Sequence, residues 1–295
     1  MLKETKYLIV FYLLFISSAF SQSDFKYFGA IKLNDSSLIT YKIVLKEHDG
    51  KVAGYSITDL GGEHETRSNI FGEYNHDTKT LSFRETDIVY TKSEVTTYDF
   101  CFVNTTIENF KFGKTKKITA PFLGLFSDNT ECISGELLLT EEEKVKKRIE
   151  KVAKIIQKSN KVPDSIKEKV NPVKMMEKRS GNVLRTGQTL NVFSTSKAIT
   201  LVLYDSDTVD NDRISLQVNS KTILDDFVGT KEQKEITIPL ETLVTSIEIK
   251  ALNVGRIGDN TIKLFIKDKN NRTIGVMTSL KTNEIATVQI HRKYN

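Results

Sequence analysis

The sequence predicts a mainly β protein built as an N-terminal antiparallel meander barrel of about eight strands, a helical basic linker and a C-terminal β-sandwich. Three observations predict it. Apolar and polar residues alternate with a period of two from Phe25 to Leu139. A helical period with a basic bias takes over at Thr140, and the two-residue period returns from Leu190 onward. At 295 residues and 39% hydrophobic side chains the chain is long enough for two cores, which excludes disorder throughout. The expected division is 1–22 leader, 23–139 barrel, 140–187 linker and 188–295 sandwich.

The leader comes first. Lys3 and Lys6 precede an apolar run from Tyr7 to Phe15, and small residues follow, ending in Ala19-Phe20-Ser21. That order is a secretory signal peptide. Its apolar stretch is shorter than the ~20 residues a spanning helix needs. The expectation is a secreted or periplasmic protein, not transmembrane, maturing near Ser23. Export changes how Cys101 and Cys132 read, because a lone pair in an oxidising compartment favours a disulfide. Closing that loop is worth about 3.5 kcal/mol on the chain-entropy model.

Strands of the first unit are expected at Phe25 to Leu33, around Ile39 to Leu45, and at Val52 to Asp59, Thr66 to Tyr74, Thr80 to Thr86, Thr96 to Asn104, Ile118 to Phe126 and Cys132 to Leu139. Their connections are short and carry Asp49-Gly50, Gly61-Gly62 and Asn75-His76-Asp77, which favour antiparallel neighbours. Eight meandering strands close most simply into an up-and-down barrel of lipocalin-like form.

Thr140 and Glu143 have capping-box spacing, and Val145, Ile149, Val152 and Ile156 make one apolar stripe, so a helix is expected to about Ser159. A short helix over Asp164 to Val170 is expected next, and Met175 to Gly187 has neither period. Residues 141–180 hold 13 Lys+Arg against seven acids, so this stretch carries more positive charge than the whole chain's +5. Lys146, Lys147, Arg148, Lys151 and Lys154 are the candidate electrostatic contacts, for an anionic envelope polymer, a lipid surface or a protein partner. Nucleic acid is not expected, since no aromatics are interleaved. Beyond Leu190 alternation recurs around Ile199 to Leu203, Ile214 to Val218, Ile236 to Leu240, Ile247 to Ile249 and Ile262 to Ile266. Eight or nine short strands at that spacing suggest a sandwich of immunoglobulin-like size.

Two resemblances bear on this layout. Ile70-Phe71-Gly72-Glu73-Tyr74, Leu81-Ser82-Phe83-Arg84-Glu85, Phe100-Cys101-Phe102 and Cys132-Ile133-Ser134-Gly135-Glu136 resemble a β-rich domain of exported bacterial proteins. Asp205 to Leu216, with Ala251-Leu252-Asn253-Val254-Gly255 and Asp259-Asn260-Thr261, resembles a β-sandwich module of bacterial secreted and envelope proteins. Both imply export and the domain layout; neither implies catalytic residues. Asn211 stands where the second family commonly has Gly, a position suited to a left-handed turn.

Candidate chemistry is sparse. Asp205, Asp207, Asp210 and Asp212 lie within eight residues and could ligate Ca2+, although the bidentate Glu and fifth-position Asx of an EF-hand are missing. The alternative is a turn in which Asp and Asn side chains bond nearby backbone. His48, His64, His76 and His291 read as solvated loop residues with no metal spacing. Glu73, Glu85 and Glu136 sit in strands, where a carboxylate pair could cleave a glycosidic bond; Glu85 is the one expected to face inward. Tyr55, Phe83, Tyr98, Phe100 and Phe102 read as core. The leading expectation is an exported non-catalytic binding protein. A carrier of a small apolar ligand in the barrel comes second and an envelope polysaccharide hydrolase third.

Overall fold

The computed structural model describes residues 24–95, 100–163, 182–205, 209–256, 258–270 and 272–293. The leader, the helix expected at 164–170, Tyr98 and Asp207 lie outside them. The first eight strands are β1 (Phe25–Leu33), β2 (Leu38–His48), β3 (Lys51–Thr58), β4 (Thr66–Asn75), β5 (Thr80–Thr91), β6 (Phe102–Ile107), β7 (Lys117–Leu125) and β8 (Glu131–Glu141). Each pairs antiparallel with its successor, and β1 pairs with β8, so the barrel closes. The Asp49-Gly50 hairpin forms as expected: both residues have positive φ, 50° and 78°, between His48 and Lys51, which pair.

Alternation fills the barrel with side chains. Tyr27, Tyr41, Ile43, Leu45, Ile70, Leu81 and Leu137 are buried in one core. One end is sealed by the loop between β6 and β7. Phe110, fully buried there, packs edge-on against Tyr74 and Phe112 at ring separations of 6.3 and 4.8 Å. The Tyr74 hydroxyl donates to the Phe110 carbonyl at 2.9 Å.

β8 runs into helix α1 (Glu142–Lys158) without a loop. The expected capping box does not form, because Thr140 is held in the sheet opposite Phe28 and Lys117 and the N-cap is Glu141 with no side-chain cap bond. Lys42 donates to Glu142 at 2.6 Å and fastens the first turn to β2. The inward stripe differs by one position from the expected one. Ala153 is buried between half-buried Ile149 and Ile156, while Val152 is 54% exposed.

Among the described residues ten further strands follow: β9 (Asn182–Leu184), β10 (Thr189–Ser194), β11 (Ala198–Tyr204), β12 (Arg213–Val218), β13 (Lys221–Val228), β14 (Lys234–Pro239), β15 (Val244–Ala251), β16 (Lys263–Lys267), β17 (Thr273–Thr278) and β18 (Ile285–Arg292). β9 falls within the stretch that shows no period in sequence. Strands β14, β11, β16, β17 and β9 form a separate five-stranded sheet. The other five, in the order β13-β12-β15-β18-β10, continue the barrel's own sheet, and residues from both sets share one core.

The join is β5. Leu81 to Arg84 pair with β6 inside the barrel, β5 bulges against β4, and Tyr90 and Thr91 then pair with Val192 and Asn191 of β10. One strand therefore belongs to both halves, and Val89 and Tyr90 are buried in the C-terminal core.

Candidate functional site at the junction

The point where β5 leaves β6 is organised by Glu85. The ladder between them ends at the Arg84–Asn104 pair. One residue further, the Val103 amide donates to Glu85 Oε2 at 2.8 Å, so a side chain replaces the missing strand partner. Glu85 Oε1 accepts from the Tyr41 hydroxyl at 2.8 Å and from the Ser56 hydroxyl. Burial raises the carboxyl's pKa, opposed by the Ser56, Val103 and Tyr41 hydrogen bonds. Glu85 faces inward as expected, with the partners that an apolar interior demands.

Above this point lies a cleft of about 500 Å3 between the barrel rim and the C-terminal half. Phe100, Phe102 and Phe126 line it from the barrel, and Phe193 of β10 from the other side. Phe100 and Phe102 are thus cleft-lining, not core. Of the four described aromatics expected in the core, Phe83 alone is buried there, while Tyr55 is half-buried beneath the Arg67 guanidinium at 3.9 Å.

The polar lining is uneven. Arg84 reaches the cleft and has no ion pair among the described residues. The Thr86 hydroxyl, also lining it, is buried with no hydrogen-bond partner. Lys293 sits 3.7 Å from Asp87 and 5.1 Å above the Phe193 ring. His291, expected in a solvated loop, is instead in β18, stacked on Phe193 and 2.8 Å from Asn191 Oδ1; burial lowers its pKa.

A polar lock crosses the seam between the two halves. Glu65 and Lys92, both 1% exposed in their side chains, approach to 3.8 Å. Glu65 also accepts from the Tyr90 hydroxyl at 2.9 Å and the Gly61 amide at 2.6 Å, and Lys92 donates to the Val183 carbonyl of β9 at 3.0 Å. Burial pushes the Lys92 ammonium's pKa down, with Glu65 pulling it back up. Asn191 completes the lock by donating to the Ser93 carbonyl at 3.0 Å.

The other expected residues lie elsewhere. Cys101 and Cys132 are disulfide-bonded, with a Cα separation of 6.1 Å. Glu73 and Glu136 are exposed on the outer face, so neither pairs with the inward Glu85. Lys146, Lys147, Arg148, Lys151 and Lys154 are exposed along α1.

In the acidic loop Asp205, Asp210 and Asp212 are buried, and Asn211 takes the left-handed conformation with φ 71°. Asp212 Oδ2 accepts from the Thr261 amide at 2.6 Å, and Asp210 Oδ2 from the Arg256 amide at 3.1 Å. These carboxylates tie the 205–212 and 253–261 loops together as backbone acceptors. Burial raises the Asp212 pKa, the Thr261 amide opposes it, and Asp210 and Asp205 add to it. Among the described residues no group of three His, Cys, Asp or Glu side chains is placed to hold a metal ion.

No family model, no curated protein and no solved structure matches the chain.

Proposed function

We propose that the chain is an exported, non-catalytic binding protein whose ligand is a small amphiphile with an acidic group, held in the cleft between the barrel and the C-terminal half. The observation that carries this reading is the pairing of Arg84, which has no ion pair among the described residues, with four phenylalanines around one cavity. An exposed guanidinium among the residues of a cleft that also carries four phenylalanines fits a carboxylate, sulfonate or phosphate on an apolar body. Thr86, whose hydroxyl is buried with no hydrogen-bond partner, belongs to the same lining. An immunoglobulin-like sandwich for the C-terminal half and the two family resemblances fit this reading, as does export of a disulfide-bonded chain.

The carrier alternative, with a ligand inside a lipocalin-like barrel, is less well supported, because Tyr27, Tyr41 and Phe110 fill the interior. The hydrolase alternative needs a carboxylate pair, and Glu73 and Glu136 do not face Glu85.

Two fluorescent probes test the reading: anilinonaphthalene sulfonate, which is anionic, and N-phenylnaphthylamine, its neutral relative. Saturable sulfonate binding is expected, weakened by Arg84→Gln about 10- to 100-fold, the range of one charge-assisted contact. Neutral-probe binding should hardly respond to Arg84→Gln and should fall with Phe102→Ala. If neither probe binds saturably, or neither responds to Phe102→Ala, the cleft is not the site.

A further inference from the structure

Among the described residues, helix α1 presents a lysine-rich face away from the barrel. Lys144, Lys147, Lys151, Lys154 and Lys158 recur at spacings of three, four, three and four, which on an α-helix places them in one stripe. The stripe lies opposite the side that buries Ala153 against the barrel. Seven of the helix's 17 residues are Lys or Arg and three are Glu, and the acids fall off the stripe. None of these five lysines has an ion pair among the described residues, although Lys42 and Lys116 pair with Glu142 and Glu141 close by.

Glu142, Glu143 and Glu150 each stand four residues before a lysine, Lys146, Lys147 and Lys154, yet seven basic side chains against three acids leave the helix with an excess of positive charge. Beside the stripe two apolar side chains stand in solvent, Val152 at 54% and Ile155 at 60% exposure. Burying them in the protein was open to the sequence, since the inward side needs apolar residues at those spacings. The chain instead turns Ala153 inward, flanked by half-buried Ile149 and Ile156.

From this we infer that α1 docks the protein on the surface of a bilayer rich in anionic phospholipid. The lysine stripe lies over the head groups, and Ile155 and Val152 enter the boundary between head groups and acyl chains. Charge complementarity alone would equally suit a polyanionic polymer. The two exposed apolar residues decide for the membrane, because a hydrated polymer offers them nothing to be buried in. The inference is independent of the ligand proposed for the cleft.

The test is vesicle co-sedimentation of the full chain on phosphatidylcholine vesicles with and without 30% phosphatidylglycerol. Binding should require phosphatidylglycerol and weaken with salt. Lys147→Glu/Lys151→Glu/Lys154→Glu should reduce partition at least ~100-fold, taking about fivefold for each lost lysine. The triple arginine variant at the same positions should bind as the parent does. Ile155→Ser should weaken binding to vesicles without affecting retention on dextran sulfate. These side chains are exposed, so melting temperatures should be unchanged and report that each variant is folded. Equal binding to pure phosphatidylcholine, indifference to the charge reversal, or retention on dextran sulfate with no vesicle binding would each overturn the inference.

Discussion

Glu85 shows how one buried charge can serve a fold that would be simpler without it. A carboxylate deep in a barrel is costly, and its raised pKa records that burial outweighs its three donors. The folded state holds this proton to higher pH than the unfolded chain, whose glutamate titrates near ~4.3. The stabilising contribution is therefore complete below that value and is lost as pH rises through the folded pKa. Glu85→Gln removes the titration and also sets an amide N–H2 against either the Val103 N–H or the two hydroxyls. It should cost about 1–3 kcal/mol at pH 4. The deficit should shrink as pH rises, because only the parent loses stability; urea melts across the range measure this, and a deficit constant with pH would refute it. Asp212 follows the same sign, again with burial as the largest cause and with neighbouring like charges added. Its Oδ1 is buried with no hydrogen-bond partner, and Asp210 and Asp205 repel its charge. Asp212→Asn keeps an acceptor for the Thr261 amide and removes one like charge, so with chelator present it should melt at or above the parent. If the loop instead binds Ca2+, the parent alone should gain melting temperature on adding calcium.

At the scale of elements, the disulfide is a bridge over a strand. Cys101 precedes β6 and Cys132 lies in β8, while β7 runs between them and pairs with both. Gly124 of β7 makes the passage feasible: a Cβ there would lie 2.2 Å from the Ile133 carbonyl and 2.5 Å from Cys101 Sγ. Gly124→Ala must displace either the β7–β8 ladder or the sulfur. It should leave a fraction of molecules with free thiols, read by alkylation and mass spectrometry, and lower stability by about 2–4 kcal/mol. Reduction should add little to that loss, since both act on one link; full additivity would place the damage elsewhere. The barrel strands were legible in the sequence because each has one wet and one dry face. β6 was not, since alternation from Thr96 suggests a longer strand, whereas its start at Phe102 is set by where β5 departs. β13 was missed because it is exposed along most of its length and so carries no apolar pattern. The cleft was illegible as well, because Phe100, Phe193 and Arg84 meet only through that departure. A signal does exist: Ile88, Val89 and Tyr90 are consecutive apolar residues, and breaking the period of two marks a strand that changes core.

For the whole molecule, the shared strand decides how the halves can move and unfold. Two domains on a linker would melt separately and rotate freely. Here the sheet continues from the barrel through β5 into β10, Tyr90 is buried in the C-terminal core, and Glu65 and Lys92 are sealed at the seam. Opening the seam would expose Val89 and Tyr90 and leave an ion pair half-solvated, so neither half has a complete surface alone. One cooperative transition is expected by calorimetry, with van't Hoff and calorimetric enthalpies in agreement. Lys92→Met sharpens the test. It leaves the Glu65 carboxylate buried with its Tyr90 and Gly61 donors but no cation, at a cost of about 3 kcal/mol. In a coupled molecule, amide exchange must accelerate by a similar factor at β2 and β3 in the barrel and at β15 and β18 beyond the seam, because all four report the same global opening. Acceleration confined to one side, or two resolved calorimetric peaks in the parent, would mean that the continuous sheet joins the halves without making them one folding unit.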